Sequence, residues 1–229
     1  SPNYYGLIEN WSLYSNLINQ KTLLISVSDP LSLSLIKPPG KSGADIYCGE
    51  GQSLGNYMNF GGPFLGLLSS KLDYVRKMPG RIVGKTEDLD GKEGYVLTLQ
   101  AREQHIRRDR ANSNICTNQS LLALRSSIYM SLLGKTGLSE ISKICFNKSQ
   151  YAAQSIAKLS NCKIPYGYNF IKEFVVQTKV SADKIIEDAV NENISISKIK
   201  NSDHQLLIAV TEKRTKEEID NLVSFFMKH

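Results

Sequence analysis

RKMPGRIVGKTEDLDGKEGYVLTLQAREQHIRRDRANSNICTNQSL, residues 76–121, is the stretch on which the fold turns. Residues 80–94 read as a hairpin or loop with Asp90-Gly91 as its turn signal, and they lead into a strand at 95–99. REQHIRRDR, 102–110, then sets four Arg and one His within nine positions. Glu103 and Asp109 offset part of that charge, so one reading is a solvated helix face. The sharper one is an anion site, in which the guanidinium forks of Arg102, Arg107 and Arg108 and the imidazole of His105 grip phosphate or carboxylate. A nucleic-acid groove would need interleaved aromatic side chains, which the segment lacks. Asn112 to Thr117 clusters helix-start residues, with Asn114 and Thr117 as caps. Leu121, Leu122, Leu124, Ile128, Leu132 and Leu133 follow at helical spacing, and Gly134 is expected to stop that helix.

Upstream, Ile8, Trp11, Leu13, Leu17 and Ile18 predict a helix over 8–19, and TLLISV, 22–27, a buried strand. Residues 40–66 hold eight of the 16 glycines, a density that means tight turns and close backbone approach. This half reads as an α/β layer. Downstream of Gly134 the pattern predicts a helix from about 138 to 160, a strand at 172–178, a helix at 181–191 and strands at 194–200 and 205–211. Thr215 with Glu218 forms a capping box for a last helix to about 227. That order is a small α+β layer. Two domains are expected, 1–134 and 135–229.

Composition narrows the function classes. The 229 residues are 41% hydrophobic and 22% charged, with a net charge of +6, which suits a packed core and excludes a disordered polyampholyte. No apolar run reaches the roughly 18 residues of a membrane span, and the opening lacks the basic and apolar regions of a signal peptide. A soluble, cytoplasmic chain is expected, and one cut from something longer. Cysteines stand at 48, 116, 145 and 162, without a close pair, and His only at 105, 204 and 229, so no zinc site is expected. Gly40-Lys41-Ser42 ends like a phosphate-binding loop, but position 35, where the first glycine belongs, is Leu35. Gly49-x-Gly51-x-x-x-Gly55 is one residue too long for the dinucleotide fingerprint.

Several segments together resemble one family. They are PNYYGLIE at 2–9, GADIYCGEGQSLG at 43–55, Phe60-Gly61-Gly62-Pro63 with Gly66, the long stretch at 76–121, and LLIAVTEKRTKEEIDNLV at 206–223. The resemblance is to subunit 1 of the two-subunit glycine dehydrogenase (decarboxylating), the P-protein family of the glycine cleavage system, and it runs nearly end to end. It implies a fold-type-I pyridoxal-phosphate (PLP) transferase: a mainly parallel sheet with flanking helices, followed by a small α+β C-terminal domain. Subunit 1 is about twice this length, so the chain is expected to be its C-terminal half, with only three or four large-domain strands before residue 100.

The implied reaction is glycine decarboxylation with PLP as electron sink, and transfer of the aminomethyl group to the lipoyl arm of the carrier H-protein. The catalytic subunit holds PLP through a Lys in an HK-T motif, eleven residues before the Pro of a GGGGP run. Here Gly61-Gly62-Pro63 matches that run, and eleven residues before Pro63 stands Gln52, whose amide cannot form an imine. The resemblance therefore implies a non-catalytic partner of the PLP-bearing subunit 2, inactive alone and completing the site across the interface. Arg102, His105, Arg107 and Arg108 are the candidate donors to cofactor phosphate or glycine carboxylate, or interface ion-pair residues. The fragment is expected to self-associate. The alternatives are a self-sufficient PLP enzyme, against which Gln52 argues, and a basic nucleic-acid-binding module.

Overall fold

The computed structural model describes residues 1–19, 21–62, 64–111 and 119–229. The expected caps Asn112, Asn114 and Thr117, and Pro63, lie outside the described residues.

The chain opens on helix α1, Trp11–Ser15, where the sequence predicts a helix over 8–19. The Asn10 side chain accepts from Ser12 N at 3.1 Å and sets the start late. Of the apolar residues that predict it, Trp11 is buried while Leu13 and Leu17 stay exposed. Strands β1, Ile25–Val27, β2, Ile46–Glu50, and β3, Gly66–Ser70, form one sheet in that order. The β1–β2 pair is parallel and β2–β3 is antiparallel.

The expectation of a buried strand at 22–27 is corrected here. Ile25 and Val27 are 53% and 64% exposed, whereas Ser26 is 1% exposed. β1 is an edge strand, and period-two alternation puts its apolar side chains on the face that nothing described covers.

β4, Ile82–Glu87, and β5, Glu93–Thr98, pair as an antiparallel hairpin. Its turn closes with Asp88 N donating to Lys92 O at 2.9 Å and Gly91 N to Asp88 O at 3.0 Å. Among the described residues five strands thus precede residue 100, three in the sheet and two in this hairpin. A short helix, α2, Gln104–Arg107, follows.

Helix α3, Ser120–Ile156, consists of two helical runs that meet at Gly134, where the sequence predicts a stop. Gly134 departs from helical geometry with φ 60°, ψ −172°, so it ends the first run and the second follows across a kink, a conformation glycine reaches without a Cβ clash.

The remaining elements are β6, Cys162–Lys163, β7, Glu173–Thr178, α4, Ala182–Asn191, β8, Ser197–Lys198, β9, Gln205–Ala209, and α5, Lys216–Met227. The four strands form one sheet in the order β6-β7-β9-β8. The main core lies here. Phe174, Val176, Leu206 and Ile208 from the sheet meet Ile185 and Ala189 of α4, Ile219, Phe225 and Phe226 of α5, and Ala152, Ala153 and Ile156 of α3. Phe170 and Phe174 stack with ring centroids 5.0 Å apart. The capping box forms as the sequence predicts: Thr215 Oγ1 accepts from Glu218 N at 3.1 Å, and Glu218 Oε2 accepts from Thr215 N at 2.7 Å.

Candidate functional site

β1 and β2 run parallel, so their C-terminal ends reach the same side of the sheet, the usual place for a ligand in α/β folds. There a cleft of about 320 Å³ is lined by Ser28 and Asp29 after β1, Glu50, Gln52 and Ser53 at the end of β2, and Lys172 before β7. Gln52 is half-buried. Asp29 is the polar hub. Its carboxylate pairs with Lys172 Nζ at 2.8 Å and accepts from Ser53 Oγ at 2.8 Å and from Ser32 N at 3.2 Å. Burial pushes the Tyr47 hydroxyl pKa up, and this hydroxyl donates to Ser28 O at 3.1 Å.

The turn after Gln52 is clamped from α3. Arg125 Nε donates to Gly55 O at 2.6 Å, and Asn56 Nδ2 donates to Gly51 O at 3.1 Å and Ser126 Oγ at 2.8 Å. Gly55 has φ +84°, and a Cβ there would stand 2.6 Å from the Tyr129 ring. Close approach, not ligand binding, therefore explains that glycine. The Arg125 guanidinium also lies 3.9 Å from the Tyr57 ring centroid and, by hydrogen bonding, pulls the Tyr57 pKa down.

The Arg-rich segment forms a second place. Arg102 ends the turn 100–102 and is 5% exposed. Its Nη2 donates to Gly80 O at 2.7 Å, while Nε and Nη1 are buried without a partner. Arg102 and Arg107 line a cleft of about 210 Å³ with Leu99, Ala101 and Arg76. The structure thus brings together two of the four candidates that the sequence singles out. His105 and Arg108 are exposed and do not line this cleft. Arg76, which the sequence reads only as dispersed basic charge, joins Arg102 and Arg107 from the turn 72–77, more than twenty residues upstream. Asp29 and Lys172 were missed, since only folding makes them neighbours.

The clefts of Gln52 and of Arg102 share no lining residue. A larger cleft, about 750 Å³, lies over β9 and α5, lined among others by Met58, Ile194, Ile208, Ile219 and Leu222. It contains none of Gln52, Arg102, His105, Arg107 and Arg108, so size does not mark the site. Among the described residues no group of three or more His, Cys, Asp or Glu is placed to hold a metal ion. No helix among them is long and apolar enough to cross a membrane.

A sheet whose parallel strands end at a polar cleft, backed by a long helix and an α+β unit, is the architecture of the fold-type-I PLP enzymes. A NifS-like protein from Rickettsia africae superposes with a TM-score of 0.67 over 99% of this chain and 59% of its own, at 13% identity, a likeness of fold alone. The family model for the glycine cleavage system P-protein matches residues 1–226, and the chain belongs to that family. Among solved structures, glycine decarboxylase (P-protein) of the glycine cleavage system in inhibitor-bound form is similar with a TM-score of 0.92 and 34% identity, covering 100% of this chain and 53% of that one. Probable glycine dehydrogenase (decarboxylating) subunit 1 of Desulfitobacterium hafniense is 48% identical over 98% of this chain and 52% of its own length. The counterpart from Moorella thermoacetica is 46% identical over 98% and 52%. The chain therefore spans about half the length of the curated relatives it matches.

The residues around Gln52 do not fit a covalently held PLP. Gln52 offers an amide, and the lysine of the cleft, Lys172, is ion-paired with Asp29.

Proposed function

We propose that this chain is part of the non-catalytic subunit of a glycine cleavage P-protein, in the cytoplasm. In this reading it pairs with a PLP-bearing subunit 2, and the assembled enzyme decarboxylates glycine and passes the aminomethyl group to the lipoyl arm of the H-protein. The family membership supports the system. The observation that carries the non-catalytic role is Gln52 at the end of β2, whose amide cannot form an imine, while the cleft's lysine, Lys172, is ion-paired with Asp29. The electron sink is then the partner's cofactor, and this chain contributes shape and charge. Arg102, His105, Arg107 and Arg108 are its basic candidates for contacts across the interface. The division into a large-domain part, 1–134, and a small domain, 135–229, belongs to the same proposal, with the kink at Gly134 as the joint.

Exchange of labelled bicarbonate with the glycine carboxyl group tests this reading. The chain alone should show none, and a Gln52→Lys change should not create it. Mixing the full-length subunit with the PLP-bearing partner should restore exchange. PLP-dependent exchange by the chain alone, with a lysine trapped by borohydride, would establish a self-sufficient enzyme instead.

A further inference from the structure

We propose that Arg76, Arg102 and Arg107 form a binding site for a small tetrahedral oxyanion of the phosphate class. The inference builds on the assignment of Arg102 and Arg107 as anion ligands, but it needs no partner subunit.

Arg102 carries the argument. A guanidinium has five N–H donors and remains charged, and burying it is costly unless those donors are met. Here one bond, to Gly80 O at 2.7 Å, holds one end of the fork. The Nε and Nη1 groups are buried and unmatched. Nε and Nη1 lie on different edges of the planar cation, so each offers its own donor for a charge-assisted bond to an oxyanion. The cleft that Arg102 lines is also bounded by two further guanidinium side chains, Arg76 and Arg107. Among the described residues neither is engaged in an ion pair or side-chain hydrogen bond. Glu103 also has a buried oxygen, Oε1, without a partner, but Glu103 does not line the cleft.

Size and charge select the ligand. The cleft is about 210 Å³, below the roughly 300–1,000 Å³ of pockets that enclose a drug-sized molecule. It suits a single phosphate group, and three cations balance a dianion better than a lone carboxylate. Leu99 and Ala101 form an apolar wall that keeps the local dielectric low and strengthens each charge-assisted bond. The backbone helps to aim the cluster. Leu99 takes φ 52°, a left-handed turn that swings the chain from β5 into the turn carrying Arg102.

Calorimetric titration of inorganic phosphate into the chain at low ionic strength tests the site. One phosphate per chain should bind with a Kd below about 1 mM. Arg76→Gln and Arg107→Gln should each weaken it by about tenfold or more, the loss of one charge-assisted bond. Arg110→Gln, on the same segment but outside the cleft, should change it less than about twofold. Because Arg102→Met also removes the bond to Gly80, its loss of binding counts only beside an unchanged circular dichroism spectrum. Glycerol 3-phosphate binding as tightly as phosphate would identify an ester ligand, and its exclusion a site for the free ion. No binding at 20 mM phosphate would overturn the proposal, as would equal weakening by Arg110→Gln. Phosphate binding with no exchange activity in the assembled complex would leave this site standing and remove the role proposed above; the converse would do the opposite.

Discussion

Replacing Lys172 by Met should destabilise the chain by about 2 kcal/mol, and adding Asp29→Asn should return most of that loss. The two side chains meet at 2.8 Å and are only 18% and 15% exposed. At an effective dielectric of about 20, Coulomb's law gives such a pair roughly 6 kcal/mol, of which desolvating both groups takes back the larger part. Breaking a fully buried pair costs about 3–5 kcal/mol because one charge is stranded. Residual exposure lowers that here. The Asp29 carboxylate also keeps its bonds from Ser53 Oγ and Ser32 N. With Asn at 29 no charge is stranded, and the amide oxygen can still accept from Ser53. The assay is urea unfolding of the wild type, both single variants and the double variant, with the coupling energy taken from the cycle. A coupling of about 1–2 kcal/mol is expected. Additivity within about 0.5 kcal/mol would refute the argument and show that water, not Lys172, satisfies Asp29.

Phe226→Ala should cost about 3–5 kcal/mol in the same unfolding assay, because Phe226 is fully buried in the core around β7 and β9. Thr215→Ala should cost about 1 kcal/mol by losing the cap of α5. Cys145 and Cys162 should resist iodoacetamide at pH 8 in the folded chain, as read by peptide mass mapping. Burial pushes both thiols up to about 11, so only about one in a thousand is thiolate at that pH, and the fraction rises as pH approaches 11. Prompt labelling of either would contradict their burial. The chain should self-associate at tens of micromolar in sedimentation. Leu23, Ile25, Val27 and Leu68 are exposed, and covering a patch of about 1,000 Å² at roughly 25 cal/mol per Å² would outweigh much of the association cost. A stable monomer that binds no apolar dye would count against that.

The C-terminal elements were legible because their signals are local. The strand expected at 172–178 is Glu173–Thr178, the helix at 181–191 is Ala182–Asn191, and the Thr215–Glu218 box caps Lys216–Met227. Caps, alternation and helical period act within a few residues, so they can be read before any contact is known. The same held for the turn at Asp90-Gly91 and for Gln52, whose amide excludes imine chemistry whatever surrounds it. Contacts between distant segments decided the rest. TLLISV has the composition of a buried strand, yet its place at a sheet edge turned Ile25 and Val27 outward and Ser26 inward. Arg102 was one basic residue among several until folding buried it beside Arg76 and Arg107. Residue type and spacing determine which chemistry a chain can carry; burial and long-range proximity, which depend on the whole packing, determine which of those groups are desolvated enough to use it.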